Sequence, residues 1–393
     1  MDEKKSQKRE KWQKRWRSIK TLAIIAAIFF LHLKALEWRE PASAEWSIFL
    51  KAAILPPMFF LPYLIDVAIH EFGHVLGGWL TGYRFRYMRV GRLMLVNSEG
   101  RLRLHRWKRS VGASDGEASM SRAYDGGTEA PIALFYLGGA ILNAMFALLF
   151  GAAGLLWTRG LLSLFLLAAA IFGIIGACIN IIPITSPKGA NDGATLRLLR
   201  RDPIWRRITS IQSAKNDMFA DGVRLRDMPA EWFELPEGVE AKSDIGRMIY
   251  WTRYHWLLDA HRFAEADAVM TELLEDEAIP EGMRLYVEED RMTLALLGYG
   301  TAEITPPCEK RRKELEDKHD YNIILLRTEY IRLLLQNRNL PEAMGMRRRF
   351  ERAAARAYVY PSDVVTDREL IAMAEELARE RGILPAAEGQ AAK

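Results

Sequence analysis

The chain has 393 residues, half of them hydrophobic, and two cysteines, Cys178 and Cys308, so it can bury more than one apolar core but cannot carry a disulfide framework. Its net charge of +5 is concentrated: nine Lys or Arg stand against three acids in residues 1–20, and nine against one in 84–109. No zinc-finger, homeodomain or RNA-binding signature accompanies the charge, which argues against nucleic acid and for cytoplasmic loops facing anionic lipid headgroups.

Residues 1–20 read as a basic cytoplasmic leader, followed by an apolar run over 21–36 with His32 and Lys34 near its far end, a first membrane span. Ala42-Ser43-Ala44 resembles a cleavage site, so a signal peptide competes with a retained span. A second span covers 52–80, with Pro56 and Pro57 suited to its first turn and Pro62 interrupting it, and contains Asp66, His70, Glu71 and His74. Residues 84–107 alternate polar and apolar side chains around Asn97-Ser98-Glu99-Gly100 and predict a β-hairpin in a cytoplasmic loop, its arginines toward headgroups. The Gly-, Ser- and acid-rich stretch 110–130 reads as a flexible linker. Spans three and four cover 131–157 and 161–184.

The expected fold is thus an α-helical membrane protein of about four transmembrane helices, residues 21–195, with a C-terminal all-α domain over 196–393. Basic loops place the leader and 81–130 inside and 37–46 outside, giving a multi-pass cell-membrane protein whose N-terminus and C-terminal domain are both cytoplasmic.

His70-Glu71-Phe72-Gly73-His74 is an H-E-x-x-H motif on a segment that lipid forces to be helical, because nothing else satisfies its backbone. Residues i and i+4 lie about one turn apart, so both imidazoles can reach one zinc ion at about 2.0–2.1 Å. Zinc lowers the pKa of its bound water to about 7, and Glu71 projects beside the pair as general base. Ionisable groups in a bilayer cost about 2.5–3.5 kcal/mol each on insertion scales, which favours a functional cluster over chance. Asp66, one turn earlier, either orients His70 or lines a wet cavity, and is left out of the site. A catalytic zinc usually takes three protein ligands, and Asp192 is the candidate third: Pro183 ends the fourth span and Gly193 permits the tight backbone that would return the carboxylate to the metal.

HEFGH in one span, and Asn180-Ile181-Ile182-Pro183 followed by Asn191-Asp192-Gly193 at the end of another, resemble the site-2 protease family of intramembrane zinc metalloproteases. Gly138-Gly139-Ala140-Ile141-Leu142-Asn143 is similar to that family's small-residue and Asn motif in the intervening span, although Gly139 stands where the family often has Pro. The resemblance covers 57–193. It implies Zn2+ on His70, His74 and Asp192, Glu71 as base, and Asn180 and Asn143 as hydrogen-bond donors to substrate or oxyanion; both asparagines equally suit interhelical hydrogen bonding. It further implies cleavage of membrane-protein substrates in or near their transmembrane segments. Hydrolysis needs an extended backbone, and an edge of the hairpin is suited either to capture an unwound segment or to anchor the loop in lipid.

In the C-terminal half Leu258, Phe263, Glu265 and Ala266 align with Leu335, Leu340, Glu342 and Ala343, a weak repeat of tetratricopeptide type that would bind a protein partner. Tyr250, Trp251, Tyr254 and Trp256 read as core, and His255, His261 and His319 lack paired ligands. The alternatives are a catalytically inactive membrane scaffold, against which Glu71 argues, and a metal or proton transporter, against which the lack of an inverted repeat argues.

Overall fold

A computed structural model describes residues 34, 37–38, 40, 45–98, 100–106, 115–123, 131–186, 189–303, 322–357 and 364–385. The expected leader, nearly all of the first span, the Ala42–Ala44 site, Cys308 and His319 lie outside them. The chain divides into two compact units: Met1–Asn97, Leu102–Met120 and Thr128–Arg201 form one, and Ser98–Arg101, Ser121–Gly127 and Asp202–Lys393 the other.

The first unit is built on α1 (Ile48–Leu80), α2 (Ile132–Ala152, continued by a π-turn over Ala153–Trp157) and α3 (Gly160–Ile181). These three, among the described residues, are long and apolar enough to cross a membrane. Large apolar side chains such as Phe72, Trp79, Leu148 and Ile174 point outward from them, as suits a hydrocarbon rather than an aqueous surround. Helix α1 starts at Ile48, where Ser47 Oγ accepts from the Leu50 amide at 3.3 Å, so Pro56 and Pro57 lie inside it and not in its first turn as expected. Its 33 residues extend about 50 Å, longer than the roughly 30 Å of a bilayer core.

Small residues let α1 and α2 touch along their backbones. A Cβ on Gly73 would stand 2.3 Å from the Gly138 carbonyl oxygen, and one on Gly138 would stand 2.2 Å from that of Gly73. Neither position accepts any other residue without moving a helix.

Between α1 and α2 lies a four-stranded sheet, β1 (Arg84–Val90), β2 (Leu93–Ser98), β3 (Arg101–Arg106) and β4 (Gly116–Ser121), in the order β3-β2-β1-β4. The expected first strand of the hairpin is two strands. Gly91 (φ +57°) and Arg92 turn the chain so that Val90 pairs with Leu93 and Tyr87 with Val96, antiparallel. The expected linker also contains a strand: β4 carries small residues and one apolar side chain facing inward, Met120, so its sequence lacks the apolar alternation by which a strand is read. After α3, the short pair β5 (Thr185–Ser186) and β6 (Gly189–Ala190) leads into α4 (Asp192–Arg201).

The second unit is helical: α5 (Pro203–Ala220), α6 (Asp244–Asp259), α7 (Phe263–Leu274), α8 (Glu281–Leu297), α9 (Ile323–Leu335), α10 (Leu340–Ala357) and α11 (Val365–Glu380). Its core gathers Tyr254, Met270, Leu294, Ile331 and Phe350, with Tyr250, Trp251 and Trp256 half-buried against it. The turns from α6 to α7 and from α9 to α10 both pass through a non-glycine residue in the left-handed region, His261 (φ 56°) and Arg338 (φ 51°), at the spacing that separates Leu258 from Leu335. Arg327, 2 % exposed, is bonded to both Asp290 and Asp367, so this buried cation is neutralised inside the core.

The glycine contact makes a direct test. Gly138→Ala should destabilise the first unit by about 1–3 kcal/mol through overpacking, seen as a lowered thermal midpoint in detergent, whereas Gly151→Ala, on the same helix with its Cβ 3.6 Å from that of Ala170, should change it much less.

Candidate metal centre

The H-E-x-x-H residues occupy the buried flank of α1: His70, Glu71 and His74 are each less than one-tenth exposed. His70 Nε2 and His74 Nε2 lie 3.1 Å apart. Asp192, at the first position of α4, brings one oxygen to both: Oδ2 is 3.1 Å from His70 Nε2 and 3.2 Å from His74 Nε2. Of the acids in the sequence, this is the one expected to join the histidines, and it does.

Three features bring Asp192 there. Ile182, ahead of Pro183, is extended (φ −70°, ψ 122°), which ends α3. Asn191 then binds four backbone groups: its Nδ2 donates to the carbonyls of Ile179 at 2.5 Å and Ile182 at 2.7 Å, and its Oδ1 accepts from the amides of Ile184 at 3.0 Å and Ala194 at 2.9 Å. It thereby caps α4 and satisfies carbonyls that α3 leaves open at its end. Gly193 completes the close approach, since a Cβ there would stand 2.3 Å from the Ile181 carbonyl oxygen. Asn191 was not among the expected site residues; an Asn directly before a helix start is the signal that would have found it.

Hydrogen bonds fix which way the imidazole lone pairs point. His74 Nδ1 lies 2.8 Å from the Phe135 carbonyl oxygen, which can only accept, so in the neutral ring Nδ1 carries the proton and Nε2 presents its lone pair to Asp192 and His70. The His70 Nδ1 faces the Asn143 amide at 3.4 Å, and Asn143 Oδ1 is buried without a partner among the described residues. A half-turn of that amide sets Oδ1 against the Nδ1–H of His70 and satisfies both groups. Asn143, 1 % exposed, thus stands behind the His70 ring and also lines the cavity beside it. The ring needs Gly139 as well, because a Cβ there would meet its Cε1 at 2.6 Å. Phe135 acts through its backbone, which leaves no mark in a sequence.

Two imidazole lone pairs and a carboxylate oxygen, mutually 3.1–3.2 Å apart, are three acceptors facing one point. Without a cation at that point they repel. Donors set tetrahedrally about 2.0–2.1 Å from a zinc ion stand about 3.3 Å from one another, so the triangle fits such an ion. These three are the group among the described residues whose ligand atoms converge in this way.

Glu71 lies outside the triangle. Its Oε1 would stand 2.2 Å from a Cβ on Gly116, so β4 passes directly over it. The Glu71 carboxylate has no hydrogen-bond partner among the described residues and faces a cavity of about 760 Å³, within the range of ligand sites. Asp66 and Asn180 line the same cavity without joining the triangle, and Asn180 Nδ2 donates to the Gly176 carbonyl at 3.0 Å. The nearest strand is β4, whose Gly116, Glu117 and Ala118 form one wall; β3 is at the far edge of the sheet. Glu117 is held from β1 by the Tyr87 hydroxyl at 2.6 Å and Arg89 at 3.2 Å, and the Tyr63 hydroxyl of α1 donates to Asp115.

No family model matches the chain, and neither a curated protein nor a solved structure matches it.

Metal analysis checks the triangle. Purified wild type should carry about one zinc per chain; Asp192→Ala and His74→Ala should each lose it, and Asn143→Ala should weaken retention against a chelator by about 10–100-fold. Full zinc retention by Asp192→Ala would separate that carboxylate from the metal.

Proposed function

We propose that the chain is an intramembrane zinc metalloendopeptidase that hydrolyses peptide bonds in or near the transmembrane segments of membrane proteins, as the site-2 protease family it resembles does. The supporting observation is the approach of Asp192 Oδ2 to the Nε2 atoms of both histidines of an H-E-x-x-H motif, across 122 residues from His70.

In this reading His70, His74 and Asp192 hold Zn2+. The ion supplies Lewis acidity at neutral pH, acidifying water and polarising a carbonyl oxygen. Glu71 takes a proton from the attacking water and delivers it to the leaving amine, a role its unpartnered carboxylate and position over the cavity support. Phe135 and Asn143 keep the imidazoles turned inward. Asn180 keeps an amide hydrogen for the substrate backbone, and the apolar walls at Phe172, Ile175 and Ile179 limit the water around the scissile bond.

A helical substrate hides its carbonyls in its own hydrogen bonds, so cleavage needs an extended segment. We assign its docking to β4, because β4 is the edge of the sheet that borders Glu71. The opposite edge, β3, exposes Leu102 and Leu104 between Arg101, Arg103 and Arg106, a pattern for the interface with anionic lipid headgroups.

The three apolar helices belong, on this proposal, to a multi-pass protein of the cell membrane with 21–36 as a further span and both termini cytoplasmic. The matched left-handed turns at His261 and Arg338 support a helical-repeat array that engages a protein partner and recruits or restrains substrates.

The test is cleavage of a model membrane substrate by purified protein. Glu71→Gln should keep its zinc and lose about 10²–10⁴-fold in rate. Equal cleavage by both proteins would remove Glu71 as base, and zinc-loaded wild type inactive on several substrates would favour a scaffold. Pro at Glu117 or Ala118 should slow cleavage far more than Pro at Leu102 or Arg103; equal effects would remove the docking assignment.

A further inference from the structure

The helical unit contains a second cavity, of about 500 Å³, between α5, α6, α8, α9 and the start of α11. Its walls are largely apolar, with Phe219, Trp251, Leu258 and Ile323 among them. Such a volume falls in the range of small-molecule sites.

The carboxylates around it are already engaged. Asp259 accepts from Arg224 Nε at 3.1 Å and from the Arg226 amide at 2.9 Å, and Asp367 is paired with Arg327. Lys215 differs. It lines the cavity, is 4 % exposed, and makes no hydrogen bond or ion pair with any described residue, its ammonium facing the Phe233 ring at 5.4 Å. Burial pushes its pKa down to about 8, which leaves it mostly charged at pH 7. A cation withdrawn from water with no counter-charge is costly, and such a group persists where something else supplies the charge. The Arg327 Nε–H is likewise buried without an acceptor among the described residues. Nearby, His255 Nδ1 donates to the Trp251 carbonyl at 2.7 Å, which leaves Nε2 as an acceptor for a ligand N–H.

We propose that this cavity binds a small organic carboxylate, its apolar body against Trp251 and Ile323 and its carboxylate on Lys215. A single unpartnered ammonium matches a monoanion. A phosphate dianion would bring a second negative charge toward Asp259 and Asp367 and would find too few donors. Nothing in this proposal depends on the metal centre.

Calorimetric titration of the full chain in nanodiscs at pH 7 tests it, with indole-3-propionate as probe and its neutral amide as the isostere. The acid should bind about tenfold or more tightly than the amide, as a charge-assisted contact requires. Lys215→Met should bring the two to equal affinity, Lys215→Arg should preserve the preference, and Leu225→Trp, at the half-buried mouth, should weaken both. Circular dichroism establishes that each variant folds. If Lys215→Met does not fold, the acid-to-amide ratio in wild type and the weakened binding of both ligands by Leu225→Trp still decide. Equal binding of acid and amide by wild type, no heat with either at millimolar concentration, or an undiminished acid preference in folded Lys215→Met would each overturn the proposal.

Discussion

Where α1 crosses α2 the carbonyl of Gly138 occupies the place that a side chain on Gly73 would need, and the carbonyl of Gly73 does the same to Gly138. This backbone contact sets the distance between the two helices, and the grouping of His70, His74 and Asp192 follows from that distance. Gly73 lies between Glu71 and His74, so helices forced apart at this point would carry the imidazoles away from the Phe135 carbonyl and the Asn143 amide that orient them. Gly139, one residue along, leaves the volume that the His70 ring fills.

The centre is held from two directions by different means. On the histidine side, acceptors placed behind each ring retain the Nδ1 protons and turn the Nε2 lone pairs inward. On the carboxylate side the support is backbone: a helix stopped by Pro183, a cap started at Asn191, and a glycine at 193 that lets the new helix lie against the end of the old one. Both arrangements are fixed by hydrogen bonds and close packing, and a set of three acceptors already in place gains more from a cation than a set that must first be ordered.

The helical unit handles charge in two contrasting ways. Arg327, fully buried, has two carboxylates to itself, and Arg224 bridges Asp259 and Glu369. Lys215 is buried almost as deeply with an aromatic ring as its neighbour. Closed ion clusters of the first kind stabilise a single packing only when every partner is present; the second leaves an electrostatic demand that the described residues do not meet.

Much of this was legible in the residue order. Long apolar runs have few places to go, so the three helices long and apolar enough to cross a membrane were readable to within a few residues, and the i, i+4 spacing put His70 and His74 on one face. Asp192 was readable because a Pro, a polar stretch and a Gly constrain what the chain can do after a span. The strands were less legible: Gly91 turns a run that alternates without interruption, and β4 has too little apolar character to be distinguished from a linker. Only the tertiary structure decided that Asn143 stands behind His70, that Phe135 contributes a carbonyl, that β4 and not β3 borders Glu71, and that Lys215 has no counter-ion among the described residues. Local sequence sets helix periodicity and chain breaks because those arise from neighbouring residues, whereas the partner of a buried polar group is chosen by which remote backbone or side chain the packing brings within about 3 Å.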